Sequence, residues 1–295
     1  RKSKPHYGSY PKKRHNFSRK INLENLNQSQ IIFFIIVMAT TAIPAGFAAG
    51  LFGIGGGLIT VPILFYVFGS FGIDEEYLMH LAVGTSFAII IPTSIVSVLT
   101  HKKHKSVDFN IIQNYGSFVI SGVLIGTIFA AFMKTKTLLI FFSTVVFILG
   151  TYLLLLQEKV KEIKKRFGLY SKIICGFISG FISAPMGIGG AVMNVPILRY
   201  FGYPINKAIG SAAAIGFIIA LFGAVGFVIS GSFMNANLPL SVGFINIPTF
   251  LIFVPITTFM ARLGANAAHK IDKIKLQRLF GIFLYVVGTV FLYRH

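Results

Sequence analysis

Gly53-Ile54-Gly55-Gly56-Gly57, followed by Val61-Pro62-Ile63-Leu64, decides how this chain is read, because both pieces occur twice. Gly187-Ile188-Gly189-Gly190 and Val195-Pro196-Ile197-Leu198 repeat them 134 positions later. Further on, Gly84-Thr85-Ser86 aligns with Gly210-Ser211-Ala212 at 126, and Gly126 and Gly150 align with Gly264 and Gly288 at 138. The longer connection in the first half sits around Asp74-Glu75-Glu76. Self-similarity on this scale marks an architecture of related units. The expected division is a basic tail over 1–30, a first transmembrane repeat over 31–156, a charged linker over 157–172 and a second repeat over 173–295.

The sequence around these motifs is that of a membrane protein. Of 295 residues, 55% are hydrophobic and only 12% charged, about half the charged share of a soluble domain. Mean hydropathy is +0.77. Ile31 to Ile73 and Ala208 to Ala261 contain no Asp, Glu, Lys or Arg. A crossing needs about 20 apolar residues, so each stretch holds more than one element. The net charge of +19 would suggest nucleic acid in a soluble protein, but here it lies in tails and loops, where the positive-inside rule accounts for it. The lone Cys175 excludes an intrachain disulfide and a thiolate metal cluster and reads as a small packing residue. The arm carries Arg1, Lys2, Lys4, Lys12, Lys13, Arg14, Arg19 and Lys20 against Glu24. It reads as a disordered cytoplasmic tail near anionic lipid, with a transit-segment remnant as the alternative.

Each half is expected to hold four elements. The first is interrupted by the glycine motif, as 31–52 and 56–69 and then 173–186 and 190–201. Crossings follow at 78–100, 109–133 and 137–156, with counterparts at 206–230, 241–265 and 274–293. The fold class is therefore all-α: a polytopic transmembrane helix bundle of two homologous halves, each with a glycine-broken or re-entrant first element. Counting Lys and Arg by side favours one net crossing per broken element, 18 against 9, and so parallel repeats. Without the tail the count is 10 to 9, and an inverted repeat, common in transporters, stays open.

The chemistry follows from the breaks. Backbone amides in hydrocarbon need partners, and a glycine run leaves amides for protein, water or a ligand to meet. A half-helix starting after each break turns its first amides, with their partial positive charge, toward the midplane, where they favour an anion. Tight helix packing is the alternative use of such glycines, but recurrence at matched positions of two halves points to a transporter site. Candidate substrate-binding residues are Gly53, Gly55, Gly56, Gly57, Gly187, Gly189 and Gly190, with the polar residues Thr60 and Asn194 at matched positions, and Thr85, Ser86 and Ser211. Hydroxyl and amide groups donate to an oxyanion without bringing charge. No Asp or Glu lies within an expected span, which argues against a cation substrate and a carboxylate relay. His80, His101 and His104 lie at span ends and read as interfacial, and Arg262 as a side chain reaching for the interface. H-E-x-x-H, P-loop and G-x-G-x-x-G signatures are missing, so the sequence offers no metal hydrolase, nucleotide-driven pump or dinucleotide site.

The doubled glycine-to-Val-Pro pattern resembles the sulfite exporter TauE/SafE family. So do His80-Leu-Ala-Val-Gly-Thr-Ser86, the basic turn from His101 to Asp108, Arg262-Leu-Gly-Ala, Leu279-Phe280-Gly281 and Gly288. The resemblance covers about residues 31–293 and implies a permease for sulfite, sulfoacetate or related sulfonates. Ala191 stands where the first half has Gly57, and Pro185 precedes the second motif, so the half-sites need not contribute equally. The expected protein is thus no enzyme and needs no cofactor or metal. It is a secondary transporter or permease in the cell membrane, with a small anion, a coupling proton or ion and the lipid bilayer as partners, and no nucleic acid. A non-transporting assembly subunit and an intramembrane enzyme are the competing classes.

Overall fold

In the computed structural model, residues 28–52, 56–103, 105–155, 167–268 and 273–293 are described. They form ten helices: α1 (Gln28–Phe52), α2 (Gly57–Ser70), α3 (Leu78–Lys103), α4 (Phe109–Phe132), α5 (Thr135–Leu155), α6 (Leu169–Met186), α7 (Ala191–Tyr200), α8 (Ile205–Phe233), α9 (Ile247–Ala268) and α10 (Lys273–Tyr293). The strands β1 (Ser241–Val242) and β2 (Ile245–Asn246) pair antiparallel between α8 and α9. Seven of the helices are long and apolar enough to cross a membrane. Ile128, Phe132, Ile229, Phe233, Leu251 and Phe259 face outward on them, as a lipid-contacting shell requires. The protein is an all-α polytopic bundle. The basic arm up to residue 27 and most of the linker, 156–166, lie outside the described residues.

The broken first elements are helical hairpins. Phe71, just past α2, meets Phe34 in the first part of α1 edge-on, with ring centroids 4.9 Å apart. Phe201, just past α7, stacks at 4.2 Å on Phe167, just before α6. Each return helix therefore ends beside the start of its partner. This overturns the arrangement favoured by the charge count, in which each broken element crosses once. The reason lies in the count itself, since the arm supplied nearly all of its bias.

Helix directions agree with the hairpins. Phe87 of α3 packs on Gly223 of α8, while Gly84 packs against Phe227, so the contacts run in opposite order and the helices are antiparallel. Gly150, Phe147 and Leu154 of α5 meet Tyr285, Gly288 and Gly281 of α10 in the same reversed order. The helices that align in sequence thus run in opposite directions, which is the inverted arrangement.

The remaining long helices pair across the two halves of the sequence. On α1, a Cβ at Gly50 would lie 1.9 Å from the Ala261 carbonyl of α9, and one at Gly264 of α9 would lie 2.0 Å from the Phe47 carbonyl. On α6, one at Gly180 would lie 2.2 Å from the Val119 carbonyl of α4. With no hydrophobic driving force between helices in lipid, such backbone contact is what binds them. Both pairs run parallel: Gly46 and Gly50 meet Thr257 and Ala261, and Gly176 and Gly180 meet Phe118 and Val119.

The start of α9 differs from the expected span at 241. Gly243, at φ 54°, turns the strand hairpin, and Asn246 begins the helix by accepting the Thr249 amide at 3.0 Å. Asp108 does the same for α4, accepting the amides of Asn110 and Ile111. Asx side chains hold first-turn donors well, so both helices begin where an Asx residue stands.

Candidate functional site

The turns of the two hairpins touch. A Cβ placed on Gly57, the first residue of α2, would lie 2.2 Å from the Gly187 carbonyl oxygen and 2.9 Å from Ile188 Cα. Only glycine allows this approach between the start of one return helix and the break of the other hairpin. Ser86 of α3 donates its hydroxyl to the same Gly187 carbonyl at 3.1 Å. Gly216 of α8 closes the other flank, where a Cβ would fall 2.1 Å from the Gly189 carbonyl. Ile90 of α3 sits between the breaks, its side chain near both Gly57 and Gly189. Gly53 and Gly55 lie outside the described residues.

The return helices start alike. Gly56, at φ 85°, and Gly190, at φ 69°, are their left-handed N-caps, with no side-chain cap bond. The Ile59 and Thr60 amides turn back to the Gly56 carbonyl, and those of Met193 and Asn194 to the Gly190 carbonyl. The first amides of each helix, at Gly57 and Leu58 and at Ala191 and Val192, have no intrahelical acceptor, as at any α-helix start. They carry the positive end of the helix dipole. The described side chains at this contact, Ser86, Ile90, Ile188, Ile219, Thr60 and Asn194, bear no charge, so the dipoles act without a competing ion.

Of the remaining polar candidates, Asn194 is drawn inward as a hub. Its Oδ1 accepts Tyr115 Oη at 2.7 Å and Ser179 Oγ at 3.1 Å, and its Nδ2 donates to the Gly190 carbonyl at 2.7 Å. Asn194 thereby holds the cap of α7 in place. Thr60, at the matched position, is buried with Oγ1 close to Gly56. Thr85 and Ser211 turn elsewhere: Thr85 Oγ1 accepts the Asn246 amide and Ser211 Oγ accepts the Asp108 amide, each at 3.0 Å. They fasten the starts of α9 and α4. The contacts are matched, Gly84 lying on the Phe244 carbonyl as Gly210 lies on the Ser106 carbonyl.

Sequence reasoning missed Tyr115, Ser179, Ile90 and Gly216. Tyr115 is the largest fully buried side chain among the described residues, and nothing in its local pattern signals a partner 79 positions away. Gly216 has no glycine counterpart in the first half: the aligned position is Ile90. His80 is buried, with Nε2 at 3.1 Å from the Ala130 carbonyl and its ring on Phe244, so it is a core residue and not interfacial as expected. Outside the spans, burial and then the Asp108 carboxylate push the Tyr203 phenol above its ordinary value, so it stays neutral. No group of three or more His, Cys, Asp or Glu able to hold a metal occurs among the described residues.

The family description "Sulfite exporter TauE/SafE" matches residues 37–291. A probable membrane transporter protein of Haemophilus influenzae is 34% identical over 256 residues, covering 86% of this chain and 97% of that one. One of Methanocaldococcus jannaschii is 28% identical over 273 residues, covering 88% and 97%. One of Bacillus subtilis is 26% identical over 280 residues, with the same coverage. No solved structure matches.

Proposed function

We propose a transport function from one premise: the chain belongs to the sulfite exporter TauE/SafE family. The curated relatives are named probable membrane transporters along nearly their whole length. A multi-pass membrane transporter or permease is the coarse reading. The finer one is that it moves a small sulfur oxyanion or organosulfonate, such as sulfite or sulfoacetate, through the contact between the two hairpin turns.

The observation that carries the reading is the approach of Gly57 to Gly187. It brings the amide end of α2 against the second break, in a region of neutral donors. An anion there meets helix dipoles and, beside Gly56, the Thr60 hydroxyl, with Ser86 holding the Gly187 carbonyl in place, while a cation meets no carboxylate among the described residues. Asn194 serves by fixing the α7 cap. Opposed hairpins also suit alternating access, in which one set of elements rocks against the other around a fixed site. Coupling to a proton or ion belongs to the same proposal.

We infer an orientation from the hairpins together with the loop charges. With each broken element returning to its own side, the sequence segments 101–108, 157–172, 199–207 and 262–278 count together, with 16 Lys and Arg against 11 on the other side. The positive-inside rule then favours the richer side as cytoplasmic and the N-terminal arm on the opposite side, reversing the placement drawn from the sequence.

The test is uptake of radiolabelled sulfite, sulfate and sulfoacetate into proteoliposomes, with and without a pH gradient. The reading predicts saturable uptake of at least one sulfur anion, with mutual competition. Uptake of all three no faster than into protein-free vesicles contradicts it.

A further inference from the structure

The geometry points to Ser183 as a direct oxyanion ligand, making the second hairpin the tighter half of the binding site. This rests on the oxyanion-transport reading above and goes beyond it by assigning the donor. Ser183 is one-hundredth exposed, and its hydroxyl has no hydrogen-bond partner. A serine in a membrane helix ordinarily bonds a carbonyl of the preceding turn, as Thr127 and Thr257 do here. An orphaned buried hydroxyl is costly and calls for a ligand.

Its direction is set by two observations. Ser179, one helical turn earlier on the same face, donates to Asn194 in the first turn of α7, so this face of α6 looks at α7. Ser183 lies one turn closer to the break, level with the start of α7. At the second cap, a Cβ on Gly190 would meet Ile219 and the Asn194 amide, whereas the first hairpin brings the aligned α1 residue onto its cap. Ala49, 134 positions before Ser183, has its Cβ 3.0 Å from where a Cβ on Gly56, the N-cap of α2, would stand. Ser183 thus lies on the α6 face that looks at α7, one turn nearer the break than Ser179, and we place its hydroxyl toward the leading amides of α7. One oxygen of an SO3 group accepts from Ser183 Oγ while another accepts from an amide of Ala191 or Val192. Asn194 and Tyr115 keep the helix end rigid behind them. In the first hairpin, Ala49 offers no donor.

The experiment is sulfite and sulfoacetate uptake kinetics in proteoliposomes for wild type, Ser183→Ala and Ser183→Cys, with thermal unfolding of each purified protein. Alanine already stands at the matched position 49, so the helix geometry tolerates it. Loss of a hydrogen bond to a charged ligand predicts a KM raised about 10- to 100-fold in both variants, with kcat within about twofold and an unfolding temperature near wild type. Cysteine restores size but not a strong donor. Wild-type KM in either variant, or full rescue by Ser183→Cys of what Ser183→Ala loses, overturns the assignment while wild-type uptake leaves the transport reading standing. Absence of any anion uptake by the wild type overturns both.

Discussion

The two hairpins share a backbone and differ in what surrounds it. At the second, Ser179, Ser183, Asn194 and Tyr115 surround the turn, three of them joined by hydrogen bonds. The aligned residues at the first are Ala45, Ala49, Thr60 and Phe253, and Ala45 and Phe253 are fully buried and apolar. The same left-handed glycine cap and the same amide pattern are thus held by a polar clamp on one side and by apolar packing on the other. Backbone geometry is what both halves retain, and side-chain chemistry is where they divide. In the function proposed above, the two hairpins would therefore not be equal half-sites around an anion. One hairpin is fastened by side-chain hydrogen bonds, and the other meets it with apolar packing around its helix end.

Breaking the contact between them should have the largest effect. Gly57→Leu forces a side chain into the Gly187 carbonyl, and anion uptake should fall at least 100-fold with membrane insertion retained. Gly189→Leu should also reduce uptake strongly, but Gly189→Ala should be mild, since a Cβ there meets Ile90 Cγ2 at 3.1 Å and Gly216 only at ordinary contact distance.

Next comes the clamp. Asn194→Ala removes three hydrogen bonds and leaves Tyr115 and Ser179 without their acceptor, a loss of about 2–4 kcal/mol in detergent unfolding. Thr60→Ala at the matched position should cost under about 1 kcal/mol. Equal losses would deny the asymmetry. Tyr115→Phe should lie between, near 1–2 kcal/mol, by leaving Asn194 Oδ1 with one donor.

The smallest effects on uptake should come from the fasteners. Thr85→Val and Ser211→Ala each remove an acceptor from one amide, at about 1 kcal/mol apiece, and should move KM little if those hydroxyls do not touch the anion. A tenfold rise in KM for either would return it to the binding site.

Much of the fold was legible because the period of apolar residues and the doubled glycines are local signals. Helix bounds fell within a few residues of expectation, except at α9, where Gly243 and Asn246 impose a turn that hydropathy does not register. The direction of the broken elements was not legible. A net crossing and a return differ only in where Phe71 and Phe201 end up, and loop charge, weighted by the arm, pointed the wrong way. At the site, glycine spacing foretold that backbone would matter at Gly56, Gly57, Gly187 and Gly190. It could not separate Ser86, which reaches Gly187, from its neighbour Thr85, which reaches Asn246: consecutive helix residues face about 100° apart, and which face meets which partner is a tertiary fact. Tyr115 was invisible for the same reason.

The most direct test of the account is sulfite flux through wild type and Gly57→Leu, reconstituted side by side at equal density and checked for a monodisperse, folded protein. Saturable flux in the wild type and its loss in Gly57→Leu are predicted. Undiminished flux with the leucine in place would mean that anions cross this protein somewhere other than where the two turns meet.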